Sequence, residues 1–350
     1  MFQKIRVKIL TPLPFALTFG GLEIQAEAYR KYLKGSCKID YFINNETNQE
    51  YDILHIVGAS IETARAGIFA KNRGKVVIVS PVFYKPNSKH ILRVLNLFFG
   101  RLRLIPNSFS MVQQLLGSAD MILPNSLEEL NYLKYIFGLD SKKMTVLRNG
   151  IEDSFFESTL DQNRTTFEEK FNLSNQYILN VSMIDRRKNT LRLIKAFNGL
   201  DLKMNLVILG DFRFADYRYE KLVKDEIEKA SGRVIVTGLI EHNSELMRSA
   251  YSGAKFHALP SIIETPGLSS IEALASGLNI LVGDCKPVRE YFGEAAVYVN
   301  PKSITDIKKG LIQCLNKDEE VKDNKEFADK FRWKNISLDL LDLYNKLTKR

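Results

Sequence analysis

The sequence predicts an α/β protein of two domains, each a parallel sheet covered by helices. Three observations carry that prediction. The chain has 350 residues, too many for one comfortable core at about 150 residues per domain. Short apolar, β-branched runs alternate with longer helical patterns, which is the rhythm of strand-helix units around parallel sheets. A polar segment, about Glu152 to Asn175, separates two sets of such runs.

The first set reads "KIRVKIL", "DILHIV", "KVVIVS", "DMILPN" and "MTVLRN". The second reads "YILNVSM", "LVILG", "RVIVTG", "KFHALP", "NILVG" and "AVYV". In the opening run Ile5, Val7 and Ile9 alternate with Lys4, Arg6 and Lys8, as a strand with one buried face does. The same basic start imitates a signal peptide, but two prolines interrupt its apolar stretch, and the strand is the better reading. No stretch of 18 apolar residues occurs, so none is expected to span a membrane. The chain ends in "EFADKFRWKNISLDLLDLYNKLTKR", where Phe327, Phe331, Leu338, Leu341 and Tyr344 recur near helical spacing as a packing face.

Hydrophobic content of 45% and charged content of 26% are those of an ordinary globular protein. The formal charge of +9 favours anionic partners, although the excess is moderate and reads as spread along the chain. Cys37, Cys285 and Cys314 form no C-x-x-C, and His55, His90, His242 and His257 never pair at ligand spacing. Neither zinc nor a disulfide framework is expected, and a reducing, cytoplasmic compartment fits. There is no D-x-D carboxylate pair of the kind that many metal-dependent sugar transferases use.

Two glycine or basic motifs follow strands. Gly20 and Gly21 precede a helix whose face is Leu22, Ala26, Tyr29 and Leu33; such a turn lets amides approach a phosphate, and equally is an ordinary turn. Arg186, Arg187 and Lys188 follow "YILNVSM" and precede Asn189 and Thr190, which open a helix. A charge run is normally a solvated face, but the carboxyl end of a strand is where open α/β sheets bind ligands.

The stretch "PSIIETPGLSSIEALASG" places Glu264 in a loop after "KFHALP" and Glu272 about one and a half turns inside the next helix. Eight residues across this corner bring both carboxylates to one cleft at different depths. Carboxylates accept hydrogen bonds from vicinal hydroxyls, so one suits a hexose and the other a ribose. The exposed amides of Gly267, Leu268 and Ser269 lie between them, suited to a diphosphate. Isolated glutamates in such places are ordinarily solvated surface residues.

The two glutamates, with the Thr265-Pro266-Gly267 turn and "EALASG", resemble the E-x7-E signature of the retaining GT-B glycosyltransferases of family 4. The resemblance covers nearly the whole chain, in order: "GGLEIQAEAY", "ILPNSLEELNYL", "TVLRNGIED", "RRKN", "VILGD", "VTGLI", "ALPSIIETPGLSSIEALASG" and "REYFGEAAVYVNP". It implies two Rossmann-like domains facing across a cleft, at 1–160 for the acceptor and 161–328 for the nucleotide-sugar. A helix at 329–350 would return to the first. It also implies transfer of a hexose with retention at the anomeric carbon, no required metal and no cofactor. By the same resemblance Glu272 binds the ribose hydroxyls, and Glu264 binds the donor sugar hydroxyls. Pro266, Gly267, Leu268 and Ser269, with Thr265, cradle sugar and diphosphate. Lys188 neutralises the diphosphate, and Gly20 and Gly21 approach it from the other domain.

Two departures stand out. The family often has Gly-Arg five residues before the lysine; here Ser182 and Met183 stand there, so Arg187, or failing that Arg186, is expected to supply the second cation. Many relatives carry a histidine after the third run, where this chain has Ser80 and Pro81.

The family resemblance implies a nucleotide-sugar donor such as a UDP-, GDP- or ADP-sugar and a glycan or lipid-linked acceptor, as in lipopolysaccharide or capsule synthesis. Between Lys89 and Gln114 basic residues interleave with Leu, Ile and Phe. That segment suits an anionic membrane surface on the cytoplasmic side, against the plainer expectation of a helix with its apolar face in the core. Two other readings compete with it: a nucleotide-sugar epimerase on the same fold, and a non-catalytic basic binding protein. No nucleic-acid motif supports the second.

Overall fold

The computed structural model describes residues 4–12, 20–42, 50–85, 88–99, 108–157, 164–173, 176–317 and 321–348. The chain divides into two compact units, one of Met1–Gly150 with Trp333–Arg350 and one of Ile151–Arg332.

The N-terminal unit runs β1 (Arg6–Leu10), α1 (Gly21–Leu33), β2 (Lys38–Tyr41), β3 (Ile53–Val57), α2 (Ile61–Asn72), β4 (Val76–Ser80), α3 (Lys89–Phe99), α4 (Ser108–Ser118), β5 (Met121–Ile122) and α5 (Leu127–Phe137). Its parallel sheet has the order β2-β1-β3-β4-β5. Strand and helix follow from local chemistry. The all-buried "ILHIV" of β3 is the near-continuous apolar run of a strand covered on both faces. The Ser60 and Ser126 hydroxyls cap α2 and α5, and Gly138, at φ 66°, ends α5.

The C-terminal unit runs α6 (Arg164–Lys170), β6 (Tyr177–Val181), α7 (Thr190–Asn198), β7 (Leu206–Leu209), α8 (Tyr217–Glu228), β8 (Val234–Gly238), α9 (Glu245–Gly253), β9 (Ala254–Leu259), α10 (Leu268–Ala275), β10 (Asn279–Gly283), α11 (Lys286–Phe292), β11 (Ala296–Val299), α12 (Ile304–Asn316) and α13 (Val321–Asp329). All six expected strands form, in a parallel sheet of order β11-β10-β9-β6-β7-β8. From β6 the chain winds one way to β8, and from β9 the other way to β11. The carboxyl ends of β6 and β9 are therefore the topological switch point, where open α/β sheets bind ligands.

The structure departs from one expected strand and adds two elements. "MTVLRN" is not a strand; Met144 makes only an isolated bridge to Ile122. At the opposite edge of the sheet, beside β1, stands the unexpected strand β2, hidden in sequence because its buried residue Ile39 lies among charges. The polar segment 152–175 contains α6, which is held by the fully buried Phe167 against Phe171 and Tyr177.

The C-terminal pattern is broken in two. After α13 the chain turns, and α14 (Trp333–Thr348) belongs to the N-terminal unit. Trp333, Ile336, Leu340 and Tyr344 bury against Tyr29, Leu33 and Ile53, whereas Leu338, expected inside, faces out. The break at Lys330–Arg332 shifts the helical phase, so spacing counted across it misassigns the inner face.

Candidate functional site

Two loops leave the switch point of the C-terminal unit and are stitched together. The first follows β6 and carries Arg186, Arg187 and Lys188; the second follows β9 and carries Ser261 and Glu264. Asn189, at φ 66°, donates from its side chain to the carbonyls of Pro260 (2.9 Å) and Pro301 (2.6 Å). The amide of Ile262 donates to the carbonyl of Arg187 at 2.8 Å, and Asp185 accepts from the amide of Lys188 at 2.7 Å.

That stitching fixes three charges. Lys188 Nζ lies 2.5 Å from Glu264 Oε2, and Arg187 Nη1 lies 3.5 Å from Oε1. The hydroxyl of Ser261 also donates to Glu264, at 3.1 Å. Burial alone would raise the Glu264 carboxyl; Lys188 and Arg187 overcome it and hold the group below its ordinary value. Arg186 points elsewhere, pairing with Asp216 at 2.8 Å with its guanidinium 4.9 Å above the Tyr219 ring.

Gly267 opens α10 at φ 92°, and a Cβ there would stand 3.0 Å from Glu264 Cγ, so glycine is required both by conformation and by proximity. The Ser270 and Ile271 amides donate to the Gly267 carbonyl, which leaves those of Leu268 and Ser269 without intrahelical acceptors at the positive end of α10, four and five residues after Glu264 in the chain. Cations and amides in this arrangement suit a diphosphate.

One and a half turns on, Glu272 is buried and paired twice. His242 Nε2 lies 2.6 Å from its Oε1, and the Tyr251 hydroxyl donates to Oε2 at 2.7 Å. Burial would lower the imidazole, but Glu272 outweighs it and raises His242 above its ordinary value. The reverse holds for Glu272, where burial raises and His242 with Tyr251 lowers, leaving it below its ordinary value. Phe155 packs on both partners, with ring centroids 5.6 Å from His242 and 5.5 Å from Tyr251. Next to this pair His257 on β9 is fully buried and pushed down to about 3, hence neutral.

Tyr251, Ser261 and His257 escaped the sequence reading, and His242 entered it only as the last residue of "TGLIEH", a stretch expected, like the surroundings of Glu264, to bear on donor identity. The available signal was position: His242 follows β8, His257 and Ser261 lie at the carboxyl end of β9, and polar residues there are candidates by the switch-point rule alone.

Gly20 and Gly21 lie in the N-terminal unit, at the start of α1. The Gly20 amide donates to Glu23 Oε2 at 2.9 Å, so the helix closes its own amino end with a carboxylate. Ser80 and Pro81 are buried. The Ser80 hydroxyl meets His55 Nε2 at 2.9 Å, His55 Nδ1 meets the Tyr344 hydroxyl at 2.7 Å, and Tyr29 stacks on the imidazole. Burial pushes His55 down to about 3, so it is a neutral link between α14 and the sheet. Among the described residues no three of His, Cys, Asp or Glu gather as metal ligands, and no helix is long and apolar enough to cross a membrane.

Residues 161–331 match the family described as Glycosyl transferases group 1. A Campylobacter jejuni relative, N-acetylgalactosamine-N,N'-diacetylbacillosaminyl-diphospho-undecaprenol 4-alpha-N-acetylgalactosaminyltransferase, is 28% identical over 212 residues, which is 59% of this chain and 54% of that protein. The O-antigen chain mannosyltransferase RfbU of Salmonella typhimurium is 29% identical over 47% of this chain and 42% of its own. The chain thus spans about half the length of these relatives. Among solved structures, a glycosyltransferase from Rickettsia africae aligns over 100% of both chains with TM-score 0.76 and 15% identity. Anabaena Alr3699/HepE in complex with UDP and glucose aligns over 98% of this chain and 100% of its own, with TM-score 0.77 and 12% identity.

Proposed function

We propose that this chain, whose residues 161–331 match the glycosyl transferases group 1 family and whose two units have the GT-B fold, transfers a hexose from a nucleotide-sugar to a glycan or lipid-linked acceptor with retention of anomeric configuration. The observation that carries the reading is the Lys188, Arg187 and Glu264 constellation at the switch point, beside the amino end of α10.

In this proposal the C-terminal unit, 161–328 in its essentials, binds the donor, and the N-terminal unit receives the acceptor. Glu272 accepts the ribose hydroxyls, and Glu264 those of the donor sugar. Lys188 and Arg187 face the diphosphate together with the backbone of Thr265, Pro266, Gly267, Leu268 and Ser269. The bond from the anomeric carbon to the phosphate oxygen breaks as the acceptor oxygen bonds on the same face. The acceptor proton passes to the departing phosphate. Fixed cations and amides stabilise the developing negative charge without reorganising, at roughly 3 kcal/mol per donor removed in better-studied sites. No metal is invoked, since the protein groups supply the countercharge.

Acceptors carrying a lipid diphosphate, as named for the Campylobacter relative, and O-antigen chains, as named for the Salmonella one, suggest cell-surface glycan synthesis at the inner face of the cytoplasmic membrane. The test is thermal denaturation against a panel of UDP-, GDP- and ADP-sugars without metal, on wild type and Glu272→Ala. Selective stabilisation by one nucleotide family, absent in the variant, is expected. Equal response of both proteins to every nucleotide would sink the donor assignment.

A further inference from the structure

The helix α3 is amphipathic the wrong way round. Its inward side is polar: Asn96 is buried and donates to the Ile136 carbonyl of α5 at 2.8 Å, His90 meets the Tyr135 hydroxyl at 2.9 Å, and the Arg93 guanidinium sits 4.3 Å over the Tyr135 ring. Among the described side chains of α3 only Leu92 packs, partly buried, on the apolar core of the unit. The outward side is aliphatic, with Ile91 64%, Val94 51%, Leu95 37% and Leu97 54% exposed. Ile91, Val94 and Leu95 fall at i, i+3 and i+4, one contiguous face. The expectation of an apolar face in the core is therefore overturned for α3, because α5 offers it polar partners instead; it holds at the start of α4, where Val112 is buried in the core, and residues 100–107 lie outside the described residues.

Charge singles out the same region. Between Glu62 and Asp120 the chain has nine Lys and Arg and neither Asp nor Glu, and the remaining 41 Lys and Arg balance the 41 Asp and Glu. The formal excess of +9 equals the charge of this stretch, and five of its nine cations, Lys85, Lys89, Arg93, Arg101 and Arg103, lie within or next to α3 in sequence. Lys71 is engaged by Asp120, but Lys85 and Lys89, which precede or begin α3, are exposed.

We propose that α3 is a docking element for an anionic lipid bilayer, its Ile91, Val94 and Leu95 face lying among the acyl chains and Lys85 and Lys89 reaching lipid phosphates. An aliphatic face with lysines at its amino-terminal end offers both requirements of interfacial binding, apolar burial and electrostatic attraction, and long lysine stems let the ammonium groups reach headgroup level. A second copy of the chain is the poorer occupant. A two-fold contact through this face brings one carboxylate-free, cationic stretch against another, and like charges oppose it. The proposal rests, for its purpose, on the reading above of a membrane-borne acceptor; its observations stand in the N-terminal unit alone.

The experiment is co-sedimentation of the full chain with phosphatidylglycerol-containing vesicles and with pure phosphatidylcholine vesicles, at low and high salt. Wild type is expected to partition onto the anionic vesicles at least about ten-fold better than onto neutral ones and to be released as salt rises. Ile91→Glu with Leu95→Glu is expected to lower that binding about ten-fold or more, and Lys85→Glu with Lys89→Glu to lower it on anionic vesicles only. All these side chains are exposed, so the variants should melt as wild type does. Unchanged pelleting of Ile91→Glu/Leu95→Glu overturns the proposal. So does a wild-type dimer that this variant dissociates with no vesicle binding by either, which assigns the face to a second copy. The nucleotide-sugar response, read without vesicles, separates the two readings: a normal response with no vesicle binding sinks the docking surface alone, and vesicle binding with no response sinks the transferase site alone.

Discussion

Lys188 Nζ stands 2.5 Å from Glu264 Oε2, joining two loops that are 76 residues apart in the chain. Both side chains are mostly buried, so each charge relies on the other, and removing one strands its partner. Lys188→Ala is expected to lower kcat by about 100-fold or more, as loss of a preorganised charge does, and to destabilise the fold by about 3 kcal/mol. Turnover with the nucleotide-sugar that stabilises the protein, alongside chemical denaturation, reads both effects. A fully active Lys188→Ala would remove the constellation from the mechanism.

The neighbouring arginines separate by geometry. Arg187 faces Glu264 at 3.5 Å, while Arg186 is tied to Asp216 at the start of α8. Arg187→Ala should weaken donor binding about ten-fold, the scale of one partly exposed cation, whereas Arg186→Ala should leave it within about two-fold. Calorimetric titration with the donor decides the matter; equal losses in both variants would contradict this division of labour.

How much of this was readable in sequence depends on where each feature is encoded. The central strands were legible because both faces are buried and the run is apolar throughout, as in β3 and β10. Edge strand β2 was not, since one buried residue among charges carries no period. Glu264 and Glu272 stood out through their fixed spacing across a loop-helix corner. Their partners did not: His242 is 30 residues from Glu272 and reaches it only through the sheet order. The direction of α3 was also out of reach. Its hydrophobic period is plain in "KHILRVLNLFF", but which face turns inward is decided by what α5 presents, namely Tyr135 and the Ile136 carbonyl. Ser80, singled out for what it lacks, turned out to be occupied by His55.

Gly267 admits no side chain. A Cβ at φ 92° is strained in any protein, and here it also presses on Glu264 Cγ at 3.0 Å. Gly267→Ala should cost about 1–2 kcal/mol and reduce turnover more than the loss of stability explains, because the carboxylate must shift. A variant with wild-type kcat and lowered melting temperature alone would show that the position of Glu264 is not critical.

Tyr344 ties α14 to the sheet through His55. Replacing it by Phe keeps the ring packing but leaves His55 Nδ1 buried without its partner, at a cost of about 1–3 kcal/mol. Chemical denaturation of Tyr344→Phe measures it. Because the imidazole is already neutral, pushed down to about 3, the loss should be the same across the neutral pH range. A loss that changed with pH near neutrality would mean that His55 is charged in the folded protein.

The pair of His242 and Glu272 should, by contrast, depend on pH, and the sign follows from the two directions of shift. His242 is raised above its ordinary 6.5, so its contribution is complete below that value and disappears as pH climbs through the raised folded one. Glu272 is lowered below its ordinary 4.5, so its contribution is complete above that value and disappears as pH falls through the lowered one. The pair therefore stabilises most between these limits, on the acidic side of neutrality. His242→Gln keeps a hydrogen-bond donor but no charge. The melting-temperature advantage of wild type over this variant should be largest near about pH 6 and should shrink toward pH 9. Donor affinity should follow the same course if the imidazolium holds the Glu272 carboxylate in place for the ribose. An advantage that stayed constant, or grew with pH, would mean that the histidine acts as a neutral donor and that the charge of Glu272 is compensated by Tyr251 and solvent instead.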